Sequence, residues 1–452
     1  MRYSGTVNSF SVILTAIISI SIGVAQDRLF AAPCPCDIYA AGGTPCVAAH
    51  STVRALDSSY NGPLYQVRRA SDNTTKNIGV LSPGGFVDAA TQDSFCSGTT
   101  CVITVVYDQT GKGNDMWYQG STQVSGSTVS IPATATKEKL TISGHEAYSL
   151  YIDPDVCYWH NGSTSGMPTG AQPEGMYMVT SGTHYNSGCC FDYGNSETDR
   201  NADGGGTMDA INFSSITSWG TGAGAGPWVM ADLEYGVFAQ NNTSKNSSDP
   251  TQTSKYVTAI LKNNGTTLFA LRGANAQSGS LSTYYSGALP SGYNPMKKQG
   301  AITLGCGGDC CKPGGGANQS DGTLYEGAIV AGYPADSTEN KVQANIVAAG
   351  YGKATAVMPA ISEASPASPF KVRYNSSSAN VVVSYVLQDS RRVSMNIFDQ
   401  RGRQIAAIVN GVIPAGLHEA VWDARRSPAG VYLCRAAMDG KEEWTGKVVI
   451  EK

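Results

Sequence analysis

Charge is scarce in this chain: only 15% of its 452 residues are Asp, Glu, Lys or Arg, and only five are His. Without Lys and Arg clustered on the main part of the chain, the electrostatic footprint of a nucleic-acid binder is missing. The few His show no ligand spacing with the cysteines, which argues against zinc. Neither a metal nor another cofactor is expected. After residue 24 no apolar run reaches the roughly 20 residues of a membrane-spanning helix, so a span is not expected. No internal repeat is visible. The formal net charge of −4 is unevenly spread: residues 371–452 carry 12 basic against 8 acidic side chains, leaving 19 basic and 27 acidic upstream. A neutral polymer suits such a surface better than a charged one.

What the chain does have is Gly (52), Tyr (23) and Cys (12). At the N-terminus, Arg2 precedes an apolar stretch from Phe10 to Val24, and Gly23-Val24-Ala25 offers small residues for cleavage. Residues 1–25 therefore read as a signal peptide, and the mature chain as secreted or displayed on the cell surface. In an exported chain the cysteines imply disulfides. Cys36 with Cys46 and Cys96 with Cys101 are close in sequence, while Cys189-Cys190 and Cys310-Cys311 are adjacent. Spacing does not pair Cys34, Cys157, Cys306, Cys310, Cys311 and Cys434.

Residues 33–356 read as one strand-rich domain. Short apolar runs at 101–107, 228–233, 256–261 and 301–305 are separated by turn clusters such as Thr110 to Asp115. Many short strands in one domain predict an all-β sandwich whose curved sheets can hold a groove. One helix is expected at its end, with Asp336 as N-cap, Glu339 at the third helical position and Gly350 as the stop. The Pro/Ala/Ser-rich segment at 357–371 reads as a linker. Residues 372–452 then carry regular short strands, as in a small immunoglobulin-like sandwich.

Cleavage of a glycosidic bond needs two carboxyl groups, one ionised and one protonated. Three segments place acids at the ends of apolar strands or on Gly-rich loops: GPWVMADLE (226–234), LGCGGD (304–309) and CCFDYGN (189–195). Strand alternation puts Asp232 and Glu234 on one face. Asp192 and Glu326 read more readily as structural acids. His184, Tyr284 and Tyr285 fit a core or a groove equally well.

In these segments the chain resembles the family 54 glycoside hydrolases, α-L-arabinofuranosidases, from about Cys36 to Tyr351. The likeness includes PCDIYAAGGTPCVAAHSTVRAL (35–56), GTHYNSGCCFDYGN (182–195), RGANAQSGSLSTYYSGALPSGYNPM (272–296) and YEGAIVAGYPADSTEN (325–340). The resemblance implies a concanavalin-like sandwich, a jelly roll, that removes terminal arabinofuranosyl groups with retention from arabinoxylan or arabinan. It also implies site roles. Glu234 would be the nucleophile and Asp309 the general acid/base. Trp219, Asp232 and Gly308 would line the sugar pocket, and Cys189-Cys190 would be a vicinal disulfide against the sugar. Tyr235, also placed among the sugar-binding positions, stands where the family pattern has Asn. Cys306, Cys310 and Cys311 are foreign to that pattern. A non-catalytic carbohydrate-binding or adhesion protein on the same sandwich is the rival reading, and a glycosidase for another sugar is a second.

The tail resembles the sorting or FlgD-like modules of exported bacterial enzymes. The likeness is carried by NIFDQRGRQIAAIVNGVIPAGLHEAVWDARR (396–426) and SPAGVYLCRA (427–436). It implies a partner in the export machinery.

Overall fold

The computed structural model describes Met1, residues 33–353 and residues 370–450, apart from 125, 127–128, 313–315, 376–378, 388–390 and 414–415. The expected signal peptide, beyond Met1, and most of the expected linker lie outside the described residues. The chain forms two compact units, Met1–Val357 and Met358–Lys452.

In the first unit, strand-forming runs assemble into two antiparallel sheets. The seven-stranded sheet runs in the order Cys46–Ser51, Gly322–Ala331, Glu174–Ser181, Tyr256–Asn263, Leu268–Asn275, Ser282–Ala288, with Leu150–Ile152 also paired to Gly322–Ala331. The ten-stranded sheet runs Val237–Phe238, Trp228–Asp232, Asp209–Ser214, Asp192–Ser196, Ala301–Leu304, Tyr158–Asn161, Met116–Tyr118, Cys101–Val106, Pro63–Arg69, Thr75–Gly79. The sheets pack face to face over one continuous apolar core. Gly327 of one sheet is a glycine because a Cβ there would meet the Tyr193 ring of the other at 2.6 Å.

The expected jelly-roll class is thus what forms, but the helices differ from expectation. Two short ones, Pro35–Ala41 and Ala89–Phe95, join the long Asp336–Ala349. In the long helix Ala335, not Asp336, is the N-cap, and it offers no side-chain bond. Asp336 and Glu339 instead bind Lys262, and Glu339 also takes Arg272, on the sheet beneath. Buried cations need partners more than an exposed helix end does, so the acids turn to the sheet. Gly350 ends the helix in a left-handed conformation, φ 73°. This covering explains why Tyr256–Asn263 is buried at all eight positions instead of alternating.

The second unit is a seven-stranded antiparallel sandwich. Its sheets are Phe370–Asn375, Asn380–Leu387, Gly416–Asp423 and Gln404–Ile413, Arg391–Phe398, Gly430–Met438, Lys441–Ile450. Val393, Met395 and Ile397 alternate into its own core with Val381, Val383 and Trp422. Strand count and size are those of an immunoglobulin-like fold.

Candidate active site

The ten-stranded sheet has two faces of different character. Tyr193, Ile211, Phe213, Val229 and Ala231 point into the main core. Their alternate neighbours Asp192, Asn212, Met230 and Asp232 therefore point the other way. On that outer face Cys190, Ile216, Trp228, Met230, Val237 and Ala239 form a small apolar cluster, with Trp219 half-buried against it. The site is built on this second cluster.

Asp192 is fully buried and accepts a 2.7 Å hydrogen bond from Asn212. Burial first, and then the neighbouring Asp232, push its carboxyl well above the usual range. Asp232, also buried, accepts the backbone N–H of Glu234 at 3.0 Å, and burial lifts it to about 7.

The strand ends at Asp232, so Glu234 does not share a strand face with it as alternation implied. Glu234 and Tyr235 form a tight turn, both left-handed (φ 63° and 56°), closed by Leu233 N–H donating to Gly236 O. Such backbone is costly for side chains other than Gly and persists where its surroundings impose it. Here they do: the Glu234 carbonyl accepts Tyr293 OH at 2.8 Å, and Tyr235 OH reaches Ala202 O at 3.1 Å. The turn places the half-buried Glu234 carboxyl beside Asp232 after all. Burial, then Glu197 and Asp232, lift it to about 9. Tyr235 is 64% exposed, the one aromatic among the exposed large apolar side chains of the described residues.

Asp309 stands exposed on a loop that leaves the strand Ala301–Leu304 through Gly305 (φ 84°). Its charge acts on both Glu234 and Asp232. A Cβ at Gly307 would sit 3.8 Å from Asp309 Oδ1 and from Cys190 Cβ, and 3.7 Å from Cys310 Sγ. The acid is therefore next to the sulfur wall. Gly308 is a glycine for a different reason: a Cβ there would overlap the carboxyl of Glu197. Cys189 and Cys190 are joined by a disulfide, and their sulfurs lie within 4.8 Å of the Asp232 carboxyl.

The structure also bonds Cys36 to Cys46 and Cys96 to Cys101. Among the cysteines that spacing left unpaired, Cys157 and Cys306 are bonded, which staples the acid loop to the strand Tyr158–Asn161. Cys310 is a free thiol, half-buried beside Asp309, and Cys434 is a buried one in the second unit.

All the acids singled out from the sequence meet here except Glu326. That residue pairs with Arg54, Tyr177 and Tyr351 in the core. His184 stacks on Tyr151 and bonds Thr323, while Tyr284 and Tyr285 belong to the other sheet. Sequence reading missed Glu197, a fully buried acid one residue past the strand Asp192–Ser196. An acid just beyond a strand end was its only signal, the same one that marks Glu234.

So many buried carboxyls have a thermodynamic consequence. Asp192, Glu197, Asp232 and Glu234 all hold protons in the folded chain at a pH where the unfolded chain has released them. Their stabilising contribution is complete below about pH 4 and is lost as pH rises towards the folded values, at about 1.4 kcal/mol per pH unit for each retained proton. The urea midpoint is accordingly expected to fall steadily from pH 5.5 to pH 8.5. A midpoint that stays level or rises would contradict the buried cluster.

Carboxyl groups kept partly protonated and partly ionised within reach of one another are what glycosidic bond cleavage requires. With a lectin-type sandwich beneath them, they define the class as a glycoside hydrolase. Residues 35–352 match the family of α-L-arabinofuranosidase B catalytic domains, and the chain belongs to that family.

It is 52% identical over 339 residues to a probable α-L-arabinofuranosidase B of Aspergillus terreus, covering 74% of this chain and 65% of that protein. It is 48% identical over 384 residues to an arabinofuranosidase/β-xylosidase of Trichoderma koningii, covering 82% and 75%. The chain thus spans about two thirds to three quarters of the length of these relatives. A crystal structure of an arabinofuranosidase complexed with arabinofuranosyl-α-1,2-xylobiose is similar at 46% identity, with a TM-score of 0.66 over 79% of this chain and 73% of that one.

Proposed function

We propose that the chain is a retaining α-L-arabinofuranosidase that removes terminal arabinofuranosyl groups from plant polysaccharides such as arabinoxylan or arabinan. The observation that carries this reading is the meeting of Glu234 and Asp309 beside the Cys189–Cys190 disulfide. Glu234 attacks the anomeric carbon while Asp309 protonates the leaving oxygen. Asp309 then takes a proton from water, which releases arabinose with its configuration kept. Trp219, Asp232, Tyr235 and Gly308 surround the sugar, and no cofactor takes part.

Export follows from residues 1–25, and the second unit serves as a sorting module for the export machinery. No helix among the described residues is long and apolar enough to cross a membrane. The name of the Trichoderma koningii relative keeps β-xylosidase activity as a second reading. Turnover of 4-nitrophenyl α-L-arabinofuranoside against 4-nitrophenyl β-D-xyloside decides between them. Binding of arabino-oligosaccharides with no turnover of either would favour an adhesion protein.

The vicinal disulfide acts as a rigid, polarisable wall for the sugar ring. Replacing both Cys189 and Cys190 with Ala is expected to raise KM about tenfold, equivalent to about 1.4 kcal/mol. Thermal stability should hardly change, since so short a loop restrains the unfolded chain little. A lower Tm with unchanged KM would assign the pair to folding alone.

A further inference from the structure

Among the residues placed round the sugar, Tyr235 stands apart. It is 64% exposed, while Glu234 before it is half-buried and Asp232 and Gly308 are buried. Exposure has not left the ring loose. Its hydroxyl donates to the Ala202 carbonyl at 3.1 Å, and a Cβ at Gly204 would lie 3.9 Å from its edge. The segment that receives it is tied back to the same turn, since Gly206 N–H donates to Leu233 O at 2.7 Å. Lys312, on the loop that carries Asp309, donates to Asn201 of that segment. The ring therefore spans from the nucleophile's turn to a segment that the acid's loop also touches.

The fold has little use for a tyrosine here. Its backbone is left-handed, φ 56°, a conformation that Asn adopts more readily than Tyr. Asn is also what the family pattern has at this position. A large ring that is neither buried nor suited to its backbone stabilises the fold little, and such residues persist where they meet a ligand.

Its position says which part of the ligand. The arabinosyl group enters towards Glu234, where the Cys189–Cys190 disulfide stands beside the buried Asp232. An exposed ring at the mouth faces what stays outside, the sugar that leaves. Arabinoxylan and arabinan present different sugars there. A β-xylopyranosyl unit has every substituent equatorial, so each face is a flat set of axial C–H bonds that can cover an aromatic ring. An arabinofuranosyl unit is puckered, carries a hydroxymethyl group out of its plane and covers less of a flat surface. The apolar area removed from water sets the strength of such a contact.

Resting on the glycosidase reading, we propose that Tyr235 is an aromatic platform for the leaving sugar and selects a xylopyranosyl unit over an arabinofuranosyl one. Held at both ends, the ring loses little freedom when the sugar settles on it. Tyr235 takes no part in bond making or breaking, and its effect is on binding.

Two substrates with the same arabinosyl group and different leaving sugars test this: arabinofuranosyl-xylobiose and an arabinan-derived arabinobiose. In Tyr235→Ala the ratio of kcat/KM, the first substrate over the second, is expected to fall about tenfold. Most of the change should lie in KM for arabinofuranosyl-xylobiose. Tyr235→Phe keeps the ring and is expected to keep most of the ratio. Tyr235→Asn should lose the ratio as Ala does, with a Tm no lower than wild type because Asn suits the backbone. An Ala or Asn variant with the wild-type ratio overturns the proposal. A Phe variant as poor as Ala assigns the effect to the hydroxyl and overturns it too.

If the wild-type chain cleaves neither substrate, the glycosidase reading fails separately. The platform is then read from calorimetry: arabinofuranosyl-xylobiose should bind the wild type about tenfold more tightly than Tyr235→Asn. Affinities that are equal, or too weak to measure, overturn it.

Discussion

Glu234→Gln is expected to leave the chain folded and to lower turnover of arabinofuranosides on the order of 10⁴-fold or more, the usual consequence of removing a nucleophile. Gln keeps the volume and the backbone bonds that hold the left-handed turn, namely Glu234 N–H to Asp232 and Tyr293 OH to the Glu234 carbonyl. What it removes is the anion that attacks. It also removes one of the protons that the folded chain retains, so the urea midpoint should fall less between pH 5.5 and pH 8.5 than in the wild type. In Glu234→Ala, which does empty that volume, azide is small enough to use the vacated space and attacks from the side where Glu234 stood. Some activity should return with azide as an arabinosyl azide of inverted configuration, which proton NMR distinguishes. Turnover within tenfold of wild type, or a rescued product of retained configuration, would remove Glu234 from the nucleophile role.

Asp309→Asn is expected to split substrates by leaving group. Natural oligosaccharides, whose leaving alkoxide needs a proton, should lose about 10²–10⁴ in kcat/KM. Activated aryl arabinofuranosides need little protonation and should lose far less in the glycosylation step. The exposed position of Asp309 on a loop, where it can reach water for the second half-reaction, suits a residue that must act as acid and then as base. Because the side chain is exposed, Asn should cost the fold little, and the comparison of substrates is clean. Equal losses on both substrate types would take Asp309 out of the acid role.

The acids of the site were legible because strand ends and Gly-rich loops are where an apolar chain can hold a carboxyl. Asp192, Asp232, Glu234 and Asp309 all satisfy that rule. Glu197 satisfies it too, but nothing in a linear reading separates it from the many acids that flank strands. Its importance comes from Gly308, more than a hundred positions away, whose missing side chain makes room for it. Asp192 was read as structural, and the neighbourhood of Asp232 that helps to hold its carboxyl up needed three strands to be in register, with Asp209–Ser214 between theirs.

By itself the sequence determined the all-β class, the two units, the short-range disulfides and the family, because these rest on local strand patterns, close cysteine spacing and long ordered identities. It could not determine the turn at Glu234, since alternation describes strands, and the strand stops at Asp232. That conformation depends on Tyr293 and Ala202 gripping the turn from elsewhere in the chain. Nor could it choose a partner for Cys157, because pairing over 149 residues depends on how sheets bring loops together. The tertiary structure alone decided which acids are held above the usual carboxyl range: burial and neighbouring acids set that, and both are properties of packing.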